Sequence, residues 1–232
     1  MILASSSSVY GSGYLAYLHP ALKTLFEGVT EIVFIPFARP NGISHDAYTE
    51  IAQRGFEFLD IPVVGLHSFE NQHKAIADAQ AIFVGGGNTF VLVDELYKRG
   101  VFSELQEVIE SGTPYLGTSA GSNICGLSMQ TTNDMPIVKP ISFKTLGSIP
   151  MNINAHYIEP EKDSKHKGET RETRINEFHN FHATPVLGLR EGSWLEIKGS
   201  AAVLRGVLPA VLFRKNLEKL ACMPNSDIFL LL

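Results

Sequence analysis

Cysteine is scarce: Cys125 and Cys222 are the only two in 232 residues. Two thiols cannot build a disulfide framework, and neither has a Cys or His nearby at metal-ligand spacing. Both read as buried apolar thiols, and no metal site is expected. Basic runs are missing too, with 19 Lys and Arg against 24 Asp and Glu, a net charge of -5. Without a basic footprint to displace counterions from phosphates, a nucleic-acid partner is excluded. Long apolar runs are also lacking. The longest, 228–232, falls far short of the ~20 residues of a membrane helix, so no membrane partner is expected. Residues 1–4, followed by four serines, have no basic flank and no long apolar stretch. They are not expected to act as a secretory signal, and cytoplasmic residence is the default expectation. With 44% hydrophobic and 19% charged residues, the composition is that of a folded chain rather than a disordered one.

What is present is an alternation of short apolar runs and longer amphipathic stretches. Residues 32–35, 61–65, 81–84 and 114–117 read as strands, several rich in β-branched side chains. Between them, 44–59, 70–78 and 89–111 read as helices, the last divided at Gly100. This order predicts an α/β fold with a mostly parallel sheet flanked by helices. From about residue 183, extended segments follow one another closely at 185–189, 194–197, 201–204 and 211–213. They predict antiparallel strands added at an edge of the main sheet, toward the C-terminus. Residues 1–232 read as one domain. Ligands of open parallel sheets bind beyond the carboxyl ends of the strands, so the glycine-rich segments 85–87 and 117–121 should share one rim.

Gly117-Thr118-Ser119-Ala120-Gly121 fits G-x-S-x-G where a strand should turn sharply into a helix. Such a turn holds a serine hydroxyl out above the sheet and aims the next N–H, here that of Ala120, at a developing oxyanion. The same pattern also describes a tight turn with a capping serine. Gly85-Gly86-Gly87-Asn88 ends the preceding strand. Glycine there lets a second N–H approach the oxyanion, and Gly87 is the candidate donor. Asn88 is a candidate substrate ligand as well as a cap for the next helix.

A serine nucleophile needs a base, and imidazole suits neutral pH. Of eight histidines, His156 lies in an extended segment downstream, Asn152-Ile153-Asn154-Ala155-His156-Tyr157. His19 sits beside Pro20 on an early helix. Histidines 45, 67, 73, 166, 179 and 182 fall in stretches read as surface loops or helix faces. Two acids compete to orient the base: Asp134, in the loop after the elbow, and Glu191, at the end of a late strand. Triads occur in unrelated chain orders, so order does not choose between them. The charged stretch 167–174 reads either as a solvated helix start or as a source of Arg171 for a substrate carboxylate.

These residues together resemble the peptidase E family of α-aspartyl dipeptidases. The likeness rests on Ile35-Pro36-Phe37-Ala38, Val84-Gly85-Gly86-Gly87-Asn88-Thr89-Phe90, Gly117-x-Ser119-Ala120-Gly121-x-Asn123 and Thr131-Thr132-Asn133-Asp134-Met135-Pro136-Ile137-Val138. It continues through His156, Lys167-Gly168-Glu169-Thr170-Arg171-Glu172 and Gly188-Leu189-x-Glu191-Gly192-x-Trp194. The resemblance implies a cytoplasmic serine peptidase for dipeptides with an N-terminal aspartate, working without metal or organic cofactor. It implies a fold akin to class I glutamine amidotransferases, with Ser119 as nucleophile and His156 as base. Asp134 and Glu191 both match positions given the acidic role, with Glu191 favoured as the partner of His156. Arg171 falls in the stretch assigned to the substrate carboxylate. Two departures stand out: Thr118 where relatives often have tryptophan, and Ser122 where they often have alanine. A smaller residue at 118 suggests a wider pocket.

Other readings remain at this level. One is a cyanophycinase-like peptidase for an aspartyl-arginine polymer; another is a non-catalytic ligand-binding protein on the same fold. Gly11-Ser12-Gly13-Tyr14-Leu15-Ala16 fits a dinucleotide fingerprint, but serines separate it from the first strand and no ribose-binding acid follows. A monomer or small homo-oligomer is compatible with everything above.

Overall fold

The computed structural model describes residues 1–40, 42–160 and 168–232. In chain order its elements are β1 (Ile2–Ala4), α1 (His19–Leu25), β2 (Ile32–Ile35), α2 (His45–Phe56), β3 (Val63–Gly65), α3 (Gln72–Ala77), β4 (Ile82–Val84), α4 (Thr89–Lys98), α5 (Phe102–Glu110), β5 (Tyr115–Thr118) and α6 (Ala120–Asn123). There follow β6 (Asn152–Ala155), α7 (Arg171–Phe181), β7 (Val186–Leu189), β8 (Trp194–Lys198), β9 (Ala201–Arg205), β10 (Ala210–Phe213) and β11 (Leu220–Cys222). The long amphipathic stretch breaks into α4 and α5 at Gly100, whose φ of 73° suits a residue without Cβ.

Seven strands form one sheet in the order β3-β2-β4-β5-β1-β8-β9. The first five are mutually parallel, and β8 and β9 extend the β1 edge as antiparallel strands. Successive side chains of a strand face opposite ways, and β2 shows the consequence. Its Ile32 and Phe34 pack with Tyr48 and Phe56 of α2, while Val33 and Ile35 join Leu92, Leu96 and Leu105 from α4 and α5. Both faces are thus covered, which is why these strands are continuously apolar. A fully buried side chain of this size contributes roughly 1.5–3 kcal/mol.

The late strands depart from expectation. Only β8 and β9 join the main sheet; β7, β10 and β11 form a second, four-stranded sheet with β6, in the order β11-β10-β7-β6. The reason is the β6–α7–β7 unit. β6 and β7 are parallel, and such a pair needs a crossover, supplied by a connection that includes α7. One face of this sheet, with Ile153, Leu187 and Leu212, merges into the main core; on the other, Ile175 of α7 packs with Val186, Val211 and Phe213.

Candidate active site

The carboxyl ends of β1, β2, β4 and β5 meet at one rim, because β5 lies between β4 and β1 and β2 follows β4. Pairing of Val84 with Gly117 and of Ala4 with Thr118 brings the segments after three strands level with Ser119. Ser119 has φ 53° and ψ -110°, outside the ordinary wells for a side chain with Cβ. The turn is held by the Ser119 N–H donating to the Ala4 carbonyl at 3.0 Å. It is also held by the Ser122 hydroxyl, 2.7 Å from Ala4 O and 2.8 Å from Gly117 O. Ser122 thereby ties β1 to β5. A Cβ on Gly121 would collide with the Val84 carbonyl, so the elbow closes only with glycine there.

His156 arrives from the second sheet. Register along β6 and β7 sets Ala155 opposite Leu189, so His156 and Glu191 leave the same end of neighbouring strands. His156 also has a positive φ, 55°, and its N–H donates to Ser5 Oγ at 2.8 Å. Ser5 Oγ in turn donates to the Leu189 carbonyl at 2.7 Å. One hydroxyl just past β1 therefore joins the two sheets at His156. His156 Nε2 lies 2.9 Å from Ser119 Oγ, and His156 Nδ1 lies 2.8 Å from Glu191 Oε1. With Nδ1–H donating to the carboxylate, Nε2 is free to accept the serine proton, the geometry of a nucleophile, base and orienting acid.

Asp134 is brought to the same cavity but bonds elsewhere. Its Oδ2 accepts from the Thr89 N–H at 2.7 Å and from the Thr132 hydroxyl at 2.9 Å. Asn123, on α6, underlies this corner: its amide donates to Thr89 Oγ1 and Thr132 Oγ1, and its oxygen faces the Ala155 N–H at 3.3 Å. Asn88 spends both ends of its side chain internally. Oδ1 caps α4 at the Val91 N–H, and Nδ2 donates to the Met135 carbonyl, so it pins the 133–136 loop. Gly87 has φ 145°, and a Cβ there would run into the Ala38 carbonyl. Among the described residues no internal acceptor takes the N–H of Gly87 or Ala120.

The cavity has a volume of about 380 Å³ and is lined by Ser6, Ser7, Ser8, Arg39, Gly86, Gly87, Ser119, Asp134, His156 and Glu191. A larger groove, about 640 Å³, runs along edge strand β3 and contains none of these residues. Arg171 stands outside the lining set, as the first residue of α7, capped by Thr170. Burial and then Arg174 lower its pKa, opposed by the charges of Glu191 and Tyr157; its Nη1 is buried without a partner. Thr118 is buried and does not line the cavity, so a small side chain there does not widen it directly. Other histidines have other duties. His67 meets Asp46, His73 meets Glu104, and His179, expected on a surface, is buried with Nε2 3.1 Å from the Thr184 carbonyl. His166 and Lys167 lie outside the described residues.

Sequence reading missed Ser5, the Ser6–Ser8 wall, Asn123 and Arg39. Their common signal is position: apart from Asn123, each directly follows or lies close beyond a strand's carboxyl end, where ligands of parallel sheets gather.

The model for peptidase family S51 matches residues 1–205. A Drosophila melanogaster protein described as "Probable alpha-aspartyl dipeptidase" is 43% identical, the alignment covering 100% of this chain and 97% of the relative. A Streptomyces coelicolor protein named peptidase E is 41% identical, with 98% and 93% covered. Among solved structures, a peptidase from an acI-B1 Actinobacterium shares the fold at a TM-score of 0.71 and 17% identity, with 97% and 94% covered. With residues 1–205 matched by the family model and a relative 43% identical along the whole chain, the chain belongs to peptidase family S51.

Proposed function

We propose that this peptidase hydrolyses dipeptides with an N-terminal aspartate through an acyl-enzyme formed on Ser119. One observation carries the reading: the hydrogen-bonded line Glu191–His156–Ser119, with steps of 2.8 and 2.9 Å, opening on a small walled cavity. Ser119 Oγ attacks the peptide carbonyl while its proton passes to His156 Nε2. Glu191 holds the imidazole in the required tautomer and stabilises its charged form. The N–H groups of Gly87 and Ala120 receive the oxyanion. His156 then protonates the leaving amine, and water, activated by the same imidazole, releases the aspartyl group.

Asp134 lines the cavity without touching His156, and its charge suits the free α-ammonium of the substrate. Asn88 serves binding through the loop that carries Asp134. Arg171 remains a candidate for a substrate carboxylate on the His156 side, where the charge of Glu191 reaches it. The relatives' names, with their α-aspartyl specificity, support the substrate class. We further infer that residues 1–232 act as one unit, that the fold is kin to class I glutamine amidotransferases, and that no cofactor is needed. The protein would serve in the cytoplasm as a monomer or small homo-oligomer.

Steady-state hydrolysis of Asp-Leu by wild type and Ser119→Ala tests the proposal. Turnover should fall by about 10⁴-fold or more in the variant. Wild type that cleaved an aspartyl-arginine polymer but not Asp-Leu would make the cyanophycinase-like reading correct, and inertness toward both would favour a binding protein.

A further inference from the structure

We propose that Arg39 reads the β-carboxylate of the substrate's N-terminal aspartate, an inference that rests on the aspartyl-dipeptidase reading above. Arg39 lines the same cavity as Ser119, Gly86, Gly87 and Asp134. Its guanidinium lies over the Tyr48 ring, 4.9 Å from the centroid. Among the described residues no carboxylate lies within ion-pair distance of it. A cation in a cavity with two acids, left unpaired by both, is available to a ligand.

Its platform is fixed. The Asn88 N–H donates to the Ala38 carbonyl at 2.7 Å, and Gly87 packs against Ala38 without room for a side chain. Tyr48, beneath the guanidinium, is buried and donates its hydroxyl to the Gly86 carbonyl at 3.1 Å. Arg39 is therefore built onto the loop that receives the oxyanion.

Strand order shows which half of the substrate it meets. Ser119 follows β5; on one side stand β4 and then β2, whose extensions carry Gly86, Gly87 and Arg39. On the other side stands β1, whose extension carries Ser5, the residue that anchors His156. His156 must protonate the leaving amine, so the departing residue lies on its side and the acyl half on that of Arg39. Asp134, held at the start of α4, lies on the acyl side as well. One carboxylate and one guanidinium there complement the α-ammonium and β-carboxylate of aspartate. An arginine facing a neutral side chain would lose a charge-assisted pair, which is the basis for discrimination.

The experiment compares kcat/KM for Asp-Leu, Asn-Leu and Asp-Leu amide in wild type, Arg39→Met, Arg39→Lys and Arg171→Met. In Arg39→Met the Asp-Leu to Asn-Leu preference should fall by roughly 10- to 100-fold. Arg39→Lys should keep part of it, having the charge without the fork. The Asp-Leu to amide ratio should keep its wild-type value in both. An undiminished aspartate preference in Arg39→Met, its collapse in Arg171→Met instead, or a loss confined to the amide ratio would overturn the assignment while leaving the dipeptidase reading intact. Failure of wild type itself to cleave Asp-Leu would remove both.

Discussion

Glu191 and Asp134 both face the cavity, but only Glu191 meets the imidazole, at 2.8 Å. Asp134 is instead bound by a backbone N–H and a hydroxyl, contacts an asparagine oxygen can also accept. Glu191→Gln should therefore lower kcat by about 10²–10⁴-fold, because the amide no longer fixes the imidazole tautomer. Asp134→Asn should act chiefly on KM for substrates with a free α-amine. Steady-state kinetics on Asp-Leu separate the two, and a larger kcat loss in Asp134→Asn would reverse the assignment. At this scale Ser119 was legible because its neighbours at 117 and 121 must be small. His156 could be named only as a candidate, since the hydroxyl that anchors it, Ser5, lies 151 positions away in the chain. Arg171 was conspicuous for its charged surroundings and Arg39 was not, yet Arg39 is the one that lines the site.

Among elements, α2 does more than cover the sheet. Its Tyr48 fills the space in front of Gly85, where a Cβ would strike the ring and hydroxyl, and holds the Gly86 carbonyl. Tyr48→Phe should leave that buried carbonyl without its partner, costing about 1 kcal/mol of stability and loosening the 85–87 loop, the proposed oxyanion site. We expect kcat to fall about tenfold with a smaller change in KM, the loss following from a less ordered N–H pair. A kcat equal to wild type would show that the loop holds itself. Helices α2, α4 and α5 were legible because apolar spacing and breakers such as Gly100 act locally. The second sheet was not, because a run of short extended segments carries no mark of which partner each will choose.

The whole molecule buries several weak acids that its reaction does not use. Burial pushes Cys125 from an ordinary 9.0 up to about 12, and it is also the leading cause that takes Tyr17 and Tyr157 from 10.0 to about 12. Tyr14 and Tyr115 are raised well above 10.0, with burial again the leading cause. In the unfolded chain these groups lose protons first, so above pH ~9 the unfolded state binds fewer protons than the native one. Their contribution to stability is intact below that point and is lost as pH climbs toward 12. Urea unfolding midpoints measured from pH 8 to 11 should be level at first and then decline. Midpoints that rose across this window would contradict the burial of these groups.

Composition, periodicity and the small residues around Ser119 determined by themselves that the chain builds an α/β sheet presenting a serine at a sharp turn. Those features act over one strand and the next helix, so local sequence contains them. Only tertiary structure set Glu191 rather than Asp134 against the His156 imidazole, a pairing the family resemblance favoured but local sequence did not contain, seated Arg39 in the cavity that Ser119 lines and placed the late strands in a second sheet. Each of those outcomes depends on the register of segments far apart in the chain, and register follows from packing two faces of a sheet at once.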